Sequence, residues 1–479
     1  MLDADSCYRA LLGRDARFDG QFFTAVTSTG VFCRPVCPAR TPGRANCRFY
    51  PSAAAAMAAG FRPCLRCRPE VSPDMPAWLG TSNTVSRALG LIHAGALDEG
   101  DVERLADRTG VGERHLRRLF DKYLGASPIA VAQARRLLFA KRLMHETRLP
   151  LTEVALAAGF GSLRRFNDLF RKTYARAPRD LRKSGPAETR TSAAGGIRLR
   201  LPYRPPYDWQ GLARFLAFRA IPGVEVATPE SYSRSIRMGT EVGRFSVSPA
   251  NGDDAALIAC VELPSVTGLR VTIERIQRMF DLRLTPGPVR ERLGRWGVDG
   301  VWIPGAWDPF ELTVRAILGQ QVSVVAATTM AGRIVERWGD DAPGLANAPC
   351  RLFPTAATLA RVPVAAIGLP AARARAIEEL AREVSEGRLD FARLGPLDDA
   401  IRRLCALRGV GEWTAQYVAM RALSEPDAFP AGDLVLRKAA SEGGAPMDER
   451  ALLELSAEWR PWRAYAAFSL WQKWGATRA

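Results

Sequence analysis

Residues 404–438 read LCALRGVGEWTAQYVAMRALSEPDAFPAGDLVLRK. Gly409 and Gly411 fall between two helical apolar patterns, and glycines at that spacing make a tight turn. The amides of such a turn, and the amino terminus of the helix after it, point outward and can hold a phosphate. Asp433 stands 22 residues past Gly411, behind Phe429-Pro430 and ahead of the apolar, basic run LVLRK. An aspartate before an apolar run is most often a helix amino-terminal cap, and the local pattern alone favours that reading.

Working outward, 479 residues exceed what one hydrophobic core supports, so several domains are expected. A formal charge of +17 points to a polyanionic partner, nucleic acid first. An anionic membrane is the competitor, but no run of 18 apolar residues occurs. The start MLDADSCYRALL carries acids where a signal peptide needs bases and an apolar core. The chain is therefore expected in the cytoplasm, where thiols stay reduced and its nine cysteines point to metal or catalysis. Residues 69–83 and 184–198, rich in proline and small polar residues, read as linkers. They separate a cysteine region, a helical region and a carboxy-terminal stretch large enough for two domains.

The helical region contains an echo. VERLADRTGVGERHLRRLF at 102–120 matches LTEVALAAGFGSLRRFNDLF at 151–170 once one residue is inserted. In each, an apolar residue and an alanine (Leu105 and Ala106; Val154 and Ala155) lead to a glycine four residues past the alanine (Gly110; Gly159), followed by a basic helix ending in Leu-Phe. That is a helix, glycine turn, helix pattern whose second helix suits a major groove. Residues 85–183 hold 20 lysines and arginines against 11 acids. A connecting helix over about 131–146, bearing Arg135, Arg136, Lys141 and Arg142, is expected between the two motifs. The region resembles the arabinose-regulator (AraC) type of DNA-binding domain, most specifically in ALAAGFGSLRRFNDLFRKTYARAPRDLR at 155–182.

In the cysteine region, Cys33 and Cys37 are spaced C-x3-C and Cys64 and Cys67 C-x2-C, with 26 residues between the pairs. Paired cysteines in tight loops supply the tetrahedron of soft ligands that zinc prefers. Four thiolates on zinc carry about −2 of net charge and are strong nucleophiles. Arg34, Arg40, Arg44, Arg48, Arg62, Arg66 and Arg68 surround them and can steer phosphates. A purely structural zinc clip is the commoner meaning of such pairs. GVFCRPVCPAR at 30–40, NCRFY at 46–50 and GFRPCLRCRP at 60–69 resemble the amino-terminal domain of the Ada adaptive-response methyltransferases. The resemblance implies that all four cysteines bind zinc. It also implies that Cys33 takes a methyl group from a DNA methylphosphotriester in a single turnover. Loss of one negative charge at Cys33 would then ease the repulsion of DNA by the cluster and favour binding by the neighbouring helices.

From residue 199, stretches such as RFSVSPANGDDAALIACVEL alternate with period two, which predicts an antiparallel sheet with helices ending near residue 285. Residues 308–338 form one long apolar pattern expected in the core. Residues 199–474, with YRPPYDW near their start and the glycine hairpin above, resemble 3-methyladenine DNA glycosylase II, the AlkA type of the helix-hairpin-helix glycosylases. The resemblance implies that Asp433 is the essential carboxylate, stabilising positive charge on the sugar of a flipped nucleotide. Where bifunctional relatives carry a lysine this chain has Trp413, which implies a monofunctional glycosylase. Trp413 and Tyr417, on one helix face, would form the base pocket. Trp459, Trp462, Tyr465 and Trp471 are further walls or simply core. Gln321 in ILGQQVSV stands where close relatives carry an apolar wedge, and Gly409 with Gly411 would grip phosphate.

The expectation is a multidomain α+β protein. Its parts are a small zinc-bound α/β domain (1–75), an all-α double helix-turn-helix (84–183), a linker (184–198), an antiparallel sheet and helix domain (199–288) and a helix-hairpin-helix glycosylase domain (289–479). Its partner is double-stranded DNA, alkylated or promoter, with transcription machinery as a further partner, no membrane, and a monomeric state. With only His93, His115 and His145 in the chain, the cysteine-histidine motif of an O6-methylguanine methyltransferase is expected to be absent. The competing reading is a regulator with a structural zinc and an inactive glycosylase half; the presence of Cys33 and Asp433 weighs against it.

Overall fold

The computed structural model describes residues 3–73, 83–98, 100–183, 196–252, 254–342, 350–441 and 445–476. Most of the two expected linkers, residues 74–82 and 184–195, lies outside the described residues. The chain forms two compact units: Met1–Pro205 with Ala250–Gln277 and Leu282–Leu284, and Pro206–Pro249 with Arg278–Asp281 and Thr285–Ala479.

The first unit opens with helix α1 (Ala4–Leu12) and a four-stranded sheet of order β3-β1-β2-β4, formed by β1 (Phe23–Val26), β2 (Val31–Cys33), β3 (Cys47–Tyr50) and β4 (Arg62–Pro63). Phe23, Ala25 and Phe32 bury their side chains against Ala53 and Ala56 of α2 (Ala53–Ala58). The helical region supplies α3 (Asn83–His93), α4 (Val102–Thr109), α5 (Glu113–Leu124), α6 (Pro128–Glu146), α7 (Leu151–Ala157), α8 (Leu163–Tyr174) and α9 (Pro178–Lys183). The echo is realised in three dimensions. Gly110 and Gly159 both turn the chain in the left-handed region, at φ 75° and 83°, where a β-carbon is unfavourable. Leu116, Phe120 and Leu124 of α5 are buried, as are Phe166, Phe170 and Tyr174 of α8. One four-residue spacing thus directs one face of each helix inward and leaves the other to solvent.

Helix α6 is the expected connecting helix, with its basic side chains turned to partners within the protein. Its alanine- and leucine-rich surface is packed on several sides, and Lys141 and Arg142 are 0% and 5% exposed. Lys141 pairs with Glu70 at 2.8 Å, both side chains fully buried, and lies over the Tyr174 ring. Arg142 meets Glu146, Arg136 meets Asp98, and Arg135 meets Glu274. All four cations are taken up inside the protein, because burying a charge without a partner is prohibitive.

Two partners of this network come from far along the chain. The unit also contains β5 (Ile197–Pro202), paired antiparallel with β9 (Ala256–Glu262), and most of α11 (Leu269–Met279). Arg270 of α11 joins Asp98, and Arg204 after β5, 2% exposed, donates to the carbonyl of Asp19 at 2.8 Å.

The second unit holds α10 (Trp209–Ala217) and an antiparallel meander of β6 (Glu225–Ala227), β7 (Tyr232–Met238) and β8 (Glu241–Pro249). The rest is helical: α12 (Pro286–Leu293), α13 (Pro309–Leu318), α14 (Val324–Trp338), α15 (Ala356–Leu359), α16 (Ala371–Ser385), α17 (Leu397–Cys405), α18 (Glu412–Ala422), α19 (Leu434–Ala440), α20 (Glu449–Ser456) and α21 (Arg463–Ala476). The apolar pattern at 308–338 is two helices rather than one. Almost all of α13 is buried, whereas α14, capped by Ser323, buries only Ala331, Ile334 and Val335. Asp281 lies in this unit at φ 51°, accepting from the Ile303 N–H at 3.0 Å and the Tyr465 hydroxyl at 3.0 Å. Burial pushes its carboxyl up to about 7 despite those donors. Among the described residues no helix is long and apolar enough to cross a membrane.

Candidate functional sites

The four-cysteine cluster follows from strand register. Parallel pairing places Val31 opposite Arg62 and Phe32 opposite Pro63, so the next residues, Cys33 and Cys64, leave the sheet side by side. Turns then return Cys37 and Cys67, and all four sulfurs lie within 4.8 Å of one another. A tetrahedron with Zn–S bonds of about 2.3 Å has S–S edges of about 3.8 Å, within that limit. The N–H groups of Arg34 and Arg66 point at Cys67 Sγ and Cys64 Sγ, at 3.4 and 3.3 Å. Sulfurs this close compete for negative charge: the neighbouring Cys37 pushes the Cys33 thiol up, while hydrogen bonding to Cys33 brings Cys37 down. Four sulfurs that compete for charge fit a thiophilic dication, which is the donor set of zinc. Cys37, Cys64 and Cys67 are buried, whereas Cys33 is partly open to solvent.

Not every arginine around the cluster is available for phosphate. Arg34 is locked onto the Asp19 carboxylate, Nε to Oδ1 2.9 Å, and donates to the Cys67 carbonyl at 3.1 Å. Arg68 holds Glu70 and Arg44 meets Asp5. Arg40, Arg48, Arg62 and Arg66 are exposed. On the helical motifs, the solvent faces present Arg114, His115, Arg117 and Arg118 on α5 and Leu163, Arg164, Arg165 and Arg171 on α8.

In the second unit the glycine hairpin joins α17 to α18. Leu407 and Val410 anchor it in the core, leaving Arg408, Gly409 and Gly411 exposed. Gly409 is at φ 76°, and a β-carbon there would stand 2.7 Å from Ala376 Cβ. Both backbone and packing therefore require glycine.

Asp433 caps α19 by accepting from the Leu436 N–H at 2.9 Å. The same carboxylate also accepts two indole N–H groups, from Trp413 at 3.0 Å on Oδ2 and from Trp471 at 3.1 Å on Oδ1. Cap and polar site are thus one residue. Trp413 and Tyr417 stack at 5.3 Å and 8°, and Trp471 meets Tyr417 edge-on. Arg421 donates to the Tyr417 hydroxyl at 2.6 Å. Burial would raise that phenol, but the guanidiniums of Arg421 and Arg219 bring it below its ordinary value. Trp459 and Trp462 are buried core, and Tyr465 is occupied with Asp281. Of the four outlying aromatics, Trp471 alone reaches Asp433 among the described contacts. Gln321 is exposed at φ 55° on the loop between α13 and α14.

Sequence reasoning missed the Asp19–Arg34 pair, the polar role of Trp471 and the tethering of Gln320 described below. Only the indole of Trp471, in a run of aromatics, left a local trace.

Four family models match in chain order: the metal binding domain of Ada over residues 6–70, a helix-turn-helix domain over 105–184, the AlkA N-terminal domain over 198–308, and the HhH-GPD superfamily of base excision DNA repair proteins over 314–460. The chain is 41% identical, over 98% of its length, to a probable bifunctional transcriptional activator/DNA repair enzyme AlkA of Mycobacterium tuberculosis (strain H37Rv), covering 96% of that protein. Its identity to DNA-3-methyladenine glycosylase 2 of Escherichia coli (strain K12) is 34%, across 57% of this chain and 95% of the relative. It is 40% identical to the bifunctional transcriptional activator/DNA repair enzyme Ada of the same organism, across 33% of this chain and 43% of the relative. With likeness sustained from end to end and four domains in the same order, the chain belongs to the family of bifunctional transcriptional activator/DNA repair enzymes of the AlkA type.

Proposed function

We propose that this protein repairs alkylated DNA by two chemistries and reports one of them to transcription. The observation that carries the excision half is the Asp433 carboxylate, held by two indole N–H groups beside a glycine hairpin. Gly409 and Gly411 bind a backbone phosphate, Gln321 enters the duplex as the target nucleotide leaves it, and the base enters the aromatic site of Trp413 and Tyr417. The N-glycosidic bond breaks, its electron pair neutralises the cationic alkylated base, and Asp433 stabilises positive charge on the sugar. Water bonds to C1′ and yields its proton to the carboxylate. Trp413 at the position of the lysine nucleophile supports a monofunctional reaction that ends at an abasic site.

In the first unit, Cys33, Cys37, Cys64 and Cys67 would hold zinc, whose charge keeps the sulfurs deprotonated and nucleophilic. Of the four, Cys33 is the residue that is partly exposed rather than buried. Its Sγ bonds to the methyl carbon of a methylphosphotriester while the C–O bond breaks, and the electron pair leaves on the phosphate as a diester. The loss of one negative charge then favours promoter binding through α5 and α8, and with it contact to transcription machinery. Modules at 1–75, 84–183, 199–288 and 289–479, with a linker at 184–198, a monomeric state and a cytoplasmic location complete the reading. The family matches and the charge of +17 support it.

Transfer of labelled methyl from methylphosphotriester DNA, tested with Cys33→Ala, and abasic-site formation, tested with Asp433→Asn, check the two chemistries separately. A wild-type protein that performed neither would be a DNA-binding regulator. Residual transfer by Cys33→Ala would assign the acceptor to another cysteine.

A further inference from the structure

The loop between α13 and α14 carries two glutamines with opposite fates. Gln321 faces solvent on a left-handed backbone that side-chain-bearing residues seldom adopt. Gln320, half-buried, turns toward the hairpin: its Nε2 donates to the Gly409 carbonyl at 2.8 Å and contacts the Thr414 hydroxyl at 3.0 Å. Its own carbonyl accepts from Arg373 Nη2 of α16 at 2.6 Å. Thr414 is 3% exposed and adjoins Trp413, while Gly409 is the hairpin glycine wedged against Ala376. One residue therefore ties the Gln321 loop to the hairpin turn, to α18 and to α16.

We infer that Gln320 is a positioning residue that sets the register between the duplex-entering Gln321 and the phosphate-gripping hairpin. The inference rests on the proposed wedge role of Gln321. A loop tip at positive φ keeps its direction only when its surroundings over-determine it. Gln320 supplies that restraint from the same elements that hold the phosphate, so backbone grip and base extrusion occur in one fixed geometry. Cutting the tether leaves the hairpin able to bind DNA but lets Gln321 wander.

The test uses full-length protein and a duplex with one 7-methylguanine, read by single-turnover excision. A 2-aminopurine beside the target reports extrusion. Q320M, Q320E, Q321A and the double variant Q320M/Q321A are compared with wild type. Q320E keeps the shape of the side chain while its carboxylate cannot donate to the Gly409 carbonyl, so it carries the test if Q320M folds poorly. The expected result is unchanged DNA affinity with extrusion and excision slowed about tenfold in Q320M and Q320E. The double variant is expected to be no slower than Q321A, because Gln320 acts through Gln321. Wild-type rates in Q320M and Q320E beside a slow Q321A, or losses that multiply in the double variant, overturn the inference and leave the wedge standing. Wild-type extrusion by Q321A overturns the wedge and this inference together.

Discussion

Trp471 donates its indole N–H to Oδ1 of Asp433 at 3.1 Å, the oxygen that also caps α19. The two roles of Asp433 can be separated by substitution. Asparagine caps as well as aspartate, so Asp433→Asn should keep the cap and lose only the acceptor of the Trp413 N–H, a small cost in Tm, while base excision falls by about 100-fold or more. Asp433→Ala should lose activity and also about 1 kcal/mol of stability. Trp471→Phe keeps the ring and removes the donor, and a single-turnover assay should show excision lowered by roughly tenfold. Unchanged excision would leave Trp471 as packing alone.

The cysteine cluster makes a division of labour measurable. Cys33→Ser should take up no methyl from methylphosphotriester DNA yet retain zinc, since three buried thiolates and a water can complete a tetrahedron. Cys37→Ala, Cys64→Ala and Cys67→Ala remove buried ligands and should lose metal and transfer together. Zinc content by elemental analysis, beside methyl uptake, checks both.

The buried pair of Glu70 and Lys141 joins the cysteine module to α6. Among the described contacts Lys141→Met leaves Glu70 with Arg68 alone, and it should cost about 3 kcal/mol in urea unfolding of the first unit. The double variant Glu70→Gln with Lys141→Met should recover most of that loss, because the charge no longer needs a partner. An additive double loss would mean that packing of the lysine stem, not the ion pair, holds the junction.

Asp281 predicts a pH dependence of stability in the second unit. Its carboxyl is raised to about 7 in the folded protein by burial and lies near 3.9 unfolded. The folded state therefore binds the proton more tightly. The contribution of Asp281 is full below pH ~4 and lost as pH rises through about 7. Asp281→Asn, which tolerates the left-handed backbone, should gain relative to wild type between pH 5 and pH 8, by roughly 5 °C in Tm. Equal differences at the two pH values would show that the carboxyl does not titrate in that window.

What the sequence made legible was local. The two helix-turn-helix echoes, the cysteine pairs and the hairpin all declare themselves within about twenty residues of chain, because turns, caps and helical spacing are short-range physics. Asp433 was ambiguous for the same reason: a cap and a site carboxylate share a local signature, and the contacts of Asp433 with Trp413 and Trp471 come from outside its own segment. Illegible were the long-range polar contacts. Arg135 meets Glu274 from 139 positions away, and Arg270 meets Asp98 from 172. No periodicity marks an arginine that will turn inward. Gln320 and Gln321 are identical neighbours in sequence, and only the fold ties one to the hairpin and leaves the other exposed.

The inward turn of α6 has a thermodynamic signature in DNA binding. Each phosphate neutralised by a protein cation releases condensed counterions, which steepens the fall of affinity with salt by about 0.9 per contact. Arg135, Arg136, Lys141 and Arg142 already have partners within the protein and release none. The salt slope for promoter DNA should thus be shallower by roughly three to four units than a count of the helical region's charges would give. Counterions will report α5 and α8, and be blind to the helix between them.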